Sequence, residues 1–189
     1  MVRAGIGGAV LAMLLALGAC GAHGGEGEDC PGGVQAPTPS GYCVPRYVSL
    51  KRDEVFARAG PGTDYPILFV YHAQGLPVQV VDETTDWRRI CDPTGALVWV
   101  HRSMLNGRRT AISLARQPLR LRADPSPGAP VRAYLRPRAI AALGAARPGW
   151  RVLSAGGVSG WARTRDVWGA APALQCPLST GFAPANGAP

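Results

Sequence analysis

The chain repeats itself. Arg58-Ala59 recurs as Arg122-Ala123 and Pro66-Ile67 as Pro130-Val131, both 64 residues further on. Trp87-Arg88 recurs as Trp150-Arg151 at an offset of 63, while Trp99 recurs as Trp161 and Leu105 as Val167 at 62. The offset shrinks by one residue at a time, as single deletions in loops would make it, and the order of aromatic and turn residues is kept. This is the trace of a duplicated domain. It is also a strict constraint, because each copy must bury its own core within about sixty residues, near the smallest size at which one core is sufficient.

Each copy has to be built from short strands. In the first, β-type runs occur at Val55-Phe56-Ala57-Arg58, Ile67 to Tyr71, Pro77 to Val81, Trp87 to Cys91 and Leu97 to Val100. Turn residues separate them: Gly60-Pro61-Gly62, Gln74-Gly75, Asp82 to Asp86 and Asp92-Pro93-Thr94-Gly95. Five strands in so short a span favour a small barrel over an open sheet, since closure removes exposed edges. The 25 glycines and 18 prolines of the 189-residue chain agree with short elements and frequent turns.

The run Val55 to Ile67, with Arg58-Ala59-Gly60-Pro61-Gly62 and Tyr65-Pro66, then Asp86-Trp87-Arg88-Arg89-Ile90 and Trp99-Val100, resembles the bacterial SH3 (SH3b) domain. The wider stretch, with Gly75-Leu76-Pro77-Val78 and Arg108 to Ile112, is similar to exported SH3-like proteins of alphaproteobacteria that carry two such domains. The second copy departs from the pattern, having Asp124-Pro125-Ser126-Pro127-Gly128 in place of the Gly-Pro-Gly turn, although it keeps Gly160-Trp161. The expected fold is therefore all-β: two tandem small SH3-like β-barrels, at 47–112 and 113–169, the second degraded and arginine-rich. The resemblance implies a binding module whose ligand is peptidoglycan or a wall-associated protein. Gly60-Pro61-Gly62 reads first as loop shape. Tyr65 beside that turn, Trp87 and Trp99 are the candidate ligand-contacting residues, and the tryptophans also read as core support.

Upstream of the repeats lies an export signal. Met1 to Arg3 gives a positive start, and the apolar run Ala9 to Leu17 is too short to span a bilayer. Leu17-Gly18-Ala19-Cys20 resembles a lipobox, which makes residues 1–19 a lipoprotein-type signal peptide and Cys20 the lipidated first residue of the mature chain. Plain cleavage after a small-x-small site is the alternative. Residues 20–46 read as a flexible tether and 170–189 as a C-terminal tail. With Cys20 assigned to lipid, Cys30, Cys43, Cys91 and Cys176 form an even set for two disulfides in an oxidising compartment. Four cysteines admit three pairings; Cys30 with Cys43, closing a Pro/Gly-rich loop, and Cys91 with Cys176 is the one expected.

The net charge of +8 is concentrated. Residues 44–107 balance seven bases against seven acids, whereas residues 108–170 carry twelve arginines against Asp124 and Asp166 alone. In an exported protein such a field addresses lipid headgroups, wall polymers or acidic proteins, and no nucleic acid is expected as a partner. A cytosolic nucleic-acid binder remains the alternative if the leader stays uncleaved. No catalytic motif is present: H-E-x-x-H, the P-loop and G-x-S-x-G are all missing, and Gly156-Gly157-Val158-Ser159-Gly160 reads as a hairpin turn. Neither cofactor nor metal is implied, since no C-x-x-C or paired-histidine spacing occurs. A Cys91 and His101 dyad, as in a wall hydrolase, reads as accidental because Cys91 ends a β-type run. The expected function is thus a non-catalytic cell-envelope binding or scaffolding module, held at the periplasmic face of a membrane through lipid on Cys20, or otherwise periplasmic or secreted.

Overall fold

A computed structural model describes residue 30, residues 38–171 and residues 173–176. The expected leader and Cys20 lie outside the described residues. In the first repeat the strands are β1 Arg46–Leu50, β2 Val55–Arg58, β3 Ile67–Tyr71, β4 Pro77–Glu83, β5 Trp87–Cys91, β6 Leu97–His101 and β7 Leu105–Asn106. The second has β8 Thr110–Ser113, β9 Leu119–Arg122, β10 Val131–Leu135, β11 Ile140–Arg147, β12 Trp150–Ala155, β13 Val158–Arg163 and β14 Val167–Trp168. A 3-10 turn precedes the last strand of each, at Arg102–Met104 and Thr164–Asp166.

The hydrogen-bonded orders are β3-β2-β6-β5-β4-β1-β7 and β10-β9-β13-β12-β11-β8-β14. Raising every label of the first by seven yields the second, so the duplication seen in the sequence is a duplication of topology. Pairing is antiparallel throughout, with bulges in corresponding hairpins: β2–β3 slips between Ala57 and Arg58, and β9–β10 slips between Val131 and Ala133. Such bulges bend strands, as a small barrel requires.

Local chemistry explains the hairpins. The β5–β6 turn is closed by Asp92, whose Oδ1 accepts from the backbone N–H of Thr94 at 2.8 Å and of Ala96 at 3.0 Å. Gly95 takes the left-handed conformation there, at φ +92°. Alternation does the rest. On β2, Val55 and Ala57 are buried and Phe56 is exposed; on β6, Val98 and Val100 are buried while Leu97, Trp99 and His101 lie on the outer face, half-buried.

The two cores differ in quality. Leu50, Val78, Val80, Ile90 and Val100 fill the first, whereas the second relies on Leu119, Leu121, Leu135 and Leu153 with Ala111, Ala141 and Ala162 between them. In the second barrel β13 approaches β9 closely: a Cβ on Gly160 would lie 3.0 Å from the Arg122 carbonyl oxygen and 2.9 Å from Leu121 Cβ. Val98 occupies the corresponding place in the first repeat.

Three expected boundaries shift. The division between residues 112 and 113 falls inside β8, which pairs only with β11 and β14 in the second sheet. All four residues of β8 are buried, because the strand is covered by its own barrel and by the first one. Residues 38–45, assigned to the tether, are seated on the first barrel: Val44 is buried in its core, and Ser40 donates through both its backbone N–H and its hydroxyl to Glu83. Residues 173–176, assigned to the tail, return to the same barrel. The buried Gln79 amide donates to the Ala173 carbonyl at 3.0 Å and accepts from the Gln175 N–H at 2.9 Å.

The disulfides join Cys30 to Cys43 and Cys91 to Cys176, with Cα separations of 5.5 and 5.9 Å. The second spans 85 residues and fastens the end of the second repeat to β5 of the first. Around it, Trp168 meets Tyr47 edge-on with centroids 5.2 Å apart, Arg109 lies over the Tyr47 ring, and Thr110 Oγ1 donates to the Gly75 carbonyl at 2.7 Å. Ile112 and Trp168 are members of the first barrel's core. The barrels are thus held by covalent, apolar and polar contacts across a linker of three residues, 107–109.

Candidate ligand groove

Trp87 begins β5 directly opposite His101 on β6, and the two rings meet edge-on at 5.3 Å. Both point outward. Beside them on the same face stand Phe56 and Arg58 of β2, and the loop before β2 brings up Arg52, Asp53 and Glu54. Together with Met104 these residues line a groove of about 480 Å³, a volume in the range of small-ligand sites. Its floor is apolar, formed by Phe56, Trp87 and Met104, and its rim carries two arginines against two carboxylates.

The groove is held from behind by a buried charge cluster. Glu83 ends β4 with its side chain 1% exposed and pairs with Arg46 Nη2 at 2.5 Å and Arg88 Nε at 2.9 Å. Arg88 in turn donates from Nη1 to the Thr84 carbonyl at 2.6 Å and the Trp87 carbonyl at 3.0 Å. That guanidinium therefore ties loop 84–87, and with it the position of Trp87, to the carboxylate beneath. Burial alone would raise the Glu83 carboxyl, but hydrogen bonds from Ser40 and Arg46 outweigh it and hold the group at about 2. Arg88 is pulled below its ordinary value by burial, with Glu83 opposing the shift.

The three sequence candidates occupy different places. Trp87 is in the groove. Tyr65 lies at the end of the Gly60 turn, about half exposed, with its ring laid over Gly60 so closely that a Cβ there would overlap it. Its carbonyl is gripped by Arg58 Nη1 at 2.7 Å, with the Thr63 carbonyl at 2.9 Å, so the turn is braced by a residue that lines the groove. Tyr65 itself borders the groove without lining it. Trp99 is on the outer face, paired with Arg58 and Arg89, outside the groove lining. Neither Trp87 nor Trp99 is in the core; among the repeated tryptophans only Trp150 is buried.

Sequence reasoning missed Phe56, His101, Met104 and the charged rim. Period-two alternation would have found the first two, because it places Phe56 with Arg58 and His101 with Trp99 on the face away from the valines. Exposed apolar side chains extend beyond the groove along β3, at Ile67, Leu68 and Phe69. Cys91, by contrast, is fully buried and bonded to Cys176, and His101 Nδ1 is engaged with Ser103 Oγ at 2.7 Å, so the two do not form a thiol and base pair. Among the described residues no group of three or more His, Cys, Asp or Glu is placed to hold a metal ion.

Two small antiparallel barrels of one topology, the first with a groove on its outer face, define a tandem SH3-like protein. The sequence matches the bacterial SH3 domain family twice, over residues 51–107 and 115–169, and the chain belongs to that family. Bacterial SH3 domains are cell-wall binding modules. No curated protein sequence matches the chain. Among solved structures, NlpC2 and NlpC1 of Trichomonas vaginalis are similar to it, each at 12% identity over 67% of this chain, with TM-scores of 0.30 and 0.31. The chain spans 49% and 46% of their lengths, about half of each. The family and the two disulfides are consistent with an extracellular or periplasmic location.

Proposed function

We propose that the protein is a non-catalytic envelope module whose first barrel binds a short peptide of the cell wall in the Phe56–Trp87 groove, with the chain tethered to a membrane by lipid on Cys20. The observation that carries this reading is the composition of the groove: an aromatic floor with both signs of charge at the rim. Peptides of peptidoglycan carry amino and carboxylate groups on a short backbone, and Asp53 with Glu54 would receive the former while Arg52 and Arg58 receive the latter. The rings supply contact area at small entropic cost. Sedimentation of the full chain with purified sacculi tests it. Pelleting should occur and should fall at least tenfold in affinity for Phe56→Ala and Trp87→Ala. Pelleting undiminished by both substitutions, or its absence at low salt, overturns the assignment. Fatty-acid labelling that is lost in Cys20→Ala tests the anchor separately.

A further inference from the structure

The same groove exists in the second barrel, with its chemistry replaced. Trp87 corresponds to Trp150, Arg58 to Arg122, Phe56 to Arg120 and His101 to Arg163. The brace is retained: Arg122 Nη1 donates to the Ala129 carbonyl at 2.6 Å, as Arg58 does to that of Tyr65. The rim is not. Arg120, Arg122, Arg163 and Arg165 line a groove of about 410 Å³ against the single carboxylate of Asp166.

Placement of the guanidinium groups is ordered by the sheet. Arg120 and Arg122 are two residues apart on β9 and so share its outer face. Arg163 is paired with Trp150 across β12 and β13, and its guanidinium carbon lies 4.6 Å from the Trp150 ring centroid. Stacking on an indole keeps a guanidinium flat and leaves its N–H edge free for a planar or tetrahedral oxyanion. Asp166 relieves little, since its approach to the exposed Arg165 is 3.8 Å at the surface. An unoccupied group of four like charges is costly to hold together, and an anion bound among them removes that repulsion.

We infer that the second barrel's groove is a phosphate site, built by converting an aromatic, mixed-charge groove into a four-arginine one. A phosphate bearing more than one negative charge matches this excess better than a lone carboxylate does, and arginine forks suit its oxygens. The inference rests on reading this outer face as a ligand groove in both barrels, but not on the peptide assigned to the first. Phosphate of this kind is carried by membrane lipids that end in a phosphomonoester and by soluble phosphomonoesters and pyrophosphates.

The test uses the full chain with inorganic pyrophosphate as probe, titrated by calorimetry and by amide chemical shifts. Saturable binding is expected, with shifts centred on Arg120, Trp150 and Arg163, and at least a tenfold loss of affinity in each of Arg120→Gln and Arg163→Gln. Both are groove-lining surface positions, and an unchanged melting temperature in either variant shows that the fold is kept. Phe56→Ala and Trp87→Ala should leave pyrophosphate binding intact, so failure of this site and failure of the peptide site are read separately. Vesicles containing phosphatidic acid form a second arm: co-sedimentation that pyrophosphate competes away assigns a headgroup, and pyrophosphate binding without co-sedimentation assigns a soluble ester. Absence of saturable pyrophosphate binding at low salt, or equal affinity in the two arginine variants, overturns the inference.

Discussion

Removing the charge of Glu83 should weaken the fold by an amount that depends on pH in a defined way. Its carboxyl, ordinarily near 4.5, is held at about 2 in the folded chain because Ser40 and Arg46 donate to it while it is out of water. A carboxyl depressed on folding contributes stability above its unfolded value and loses it as the pH falls through the folded one. The full contribution at neutral pH converts to about 3 kcal/mol, declining to about 2 kcal/mol at pH 3.5 and about 1 kcal/mol at pH 2.5. Glu83→Gln keeps the shape and leaves Arg88, itself buried, without its anion, a loss of about 3 kcal/mol or more for a broken buried pair. Urea unfolding of both proteins at constant ionic strength, from pH 7 to pH 2.5, isolates this carboxyl, since all other acids titrate alike in the two. The gap should close by about two thirds across that range, nearly all of it below pH 4.5. A gap that is the same at pH 7 and pH 2.5 would show that the substitution acts through packing, and the charge argument would fall.

Three further outcomes follow from particular contacts. Gly60→Ala should cost about 1–3 kcal/mol, because the new methyl occupies the place of the Tyr65 ring, and should cost far less in a Tyr65→Ala background; a double-mutant cycle by urea melts checks it. Cys176→Ser should lower stability by about 4–5 kcal/mol on the chain-entropy account of an 85-residue closure, with faster proteolysis of the chain end and a melting temperature no longer sensitive to reductant at that bond. Gly160→Ala should destabilise the second barrel by about 2–3 kcal/mol, since the obstructing atoms are two backbone atoms of β9 and the Leu121 Cβ fixed to that backbone, none of which can rotate away; hydrogen exchange of β9 and β13 amides should rise before that of β5 and β6.

The fold was legible where local pattern and burial agree. The five strands expected in the first repeat are found at β2 to β6 within a residue or two, because turn residues bound all five and β2, β5 and β6 alternate between the core and the outer face. β8 shows the opposite case. Thr110 to Ser113 is buried on both faces by two different barrels, so no alternation marks it and the domain boundary expected from the sequence falls inside it. β7 and β14 contain two residues each and exist only through their pairing with β1 and β8. The seating of residues 38–45 is hidden for a similar reason: its partners are a buried carboxylate 43 residues beyond Ser40 and the barrel core that takes Val44, and Pro/Gly-rich composition says nothing about such targets. In the groove, Trp87 stood out by type, whereas Phe56 and His101 acquire meaning only from the outer face they share with it.

The duplication itself separates structure from recognition. What both repeats keep is the tryptophan at the start of the fifth strand and the arginine that grips the following turn, positions 87 and 58 in one and 150 and 122 in the other. These hold the groove's shape. What differs are the side chains facing outward from the same sheet, Phe56 against Arg120 and His101 against Arg163, which the barrel core does not constrain. Because the three-residue linker, the Tyr47–Trp168 contact and the Cys91–Cys176 bond fix one barrel against the other, a ligand held in one groove sets where the other groove can reach. Two unlike sites on a rigid frame raise the effective concentration of the second ligand only at one spacing. Under the two proposed assignments the chain selects surfaces that present peptide and phosphate at that spacing, and loosening the frame by reduction should weaken attachment to a composite surface while leaving each site's affinity for its small probe unchanged.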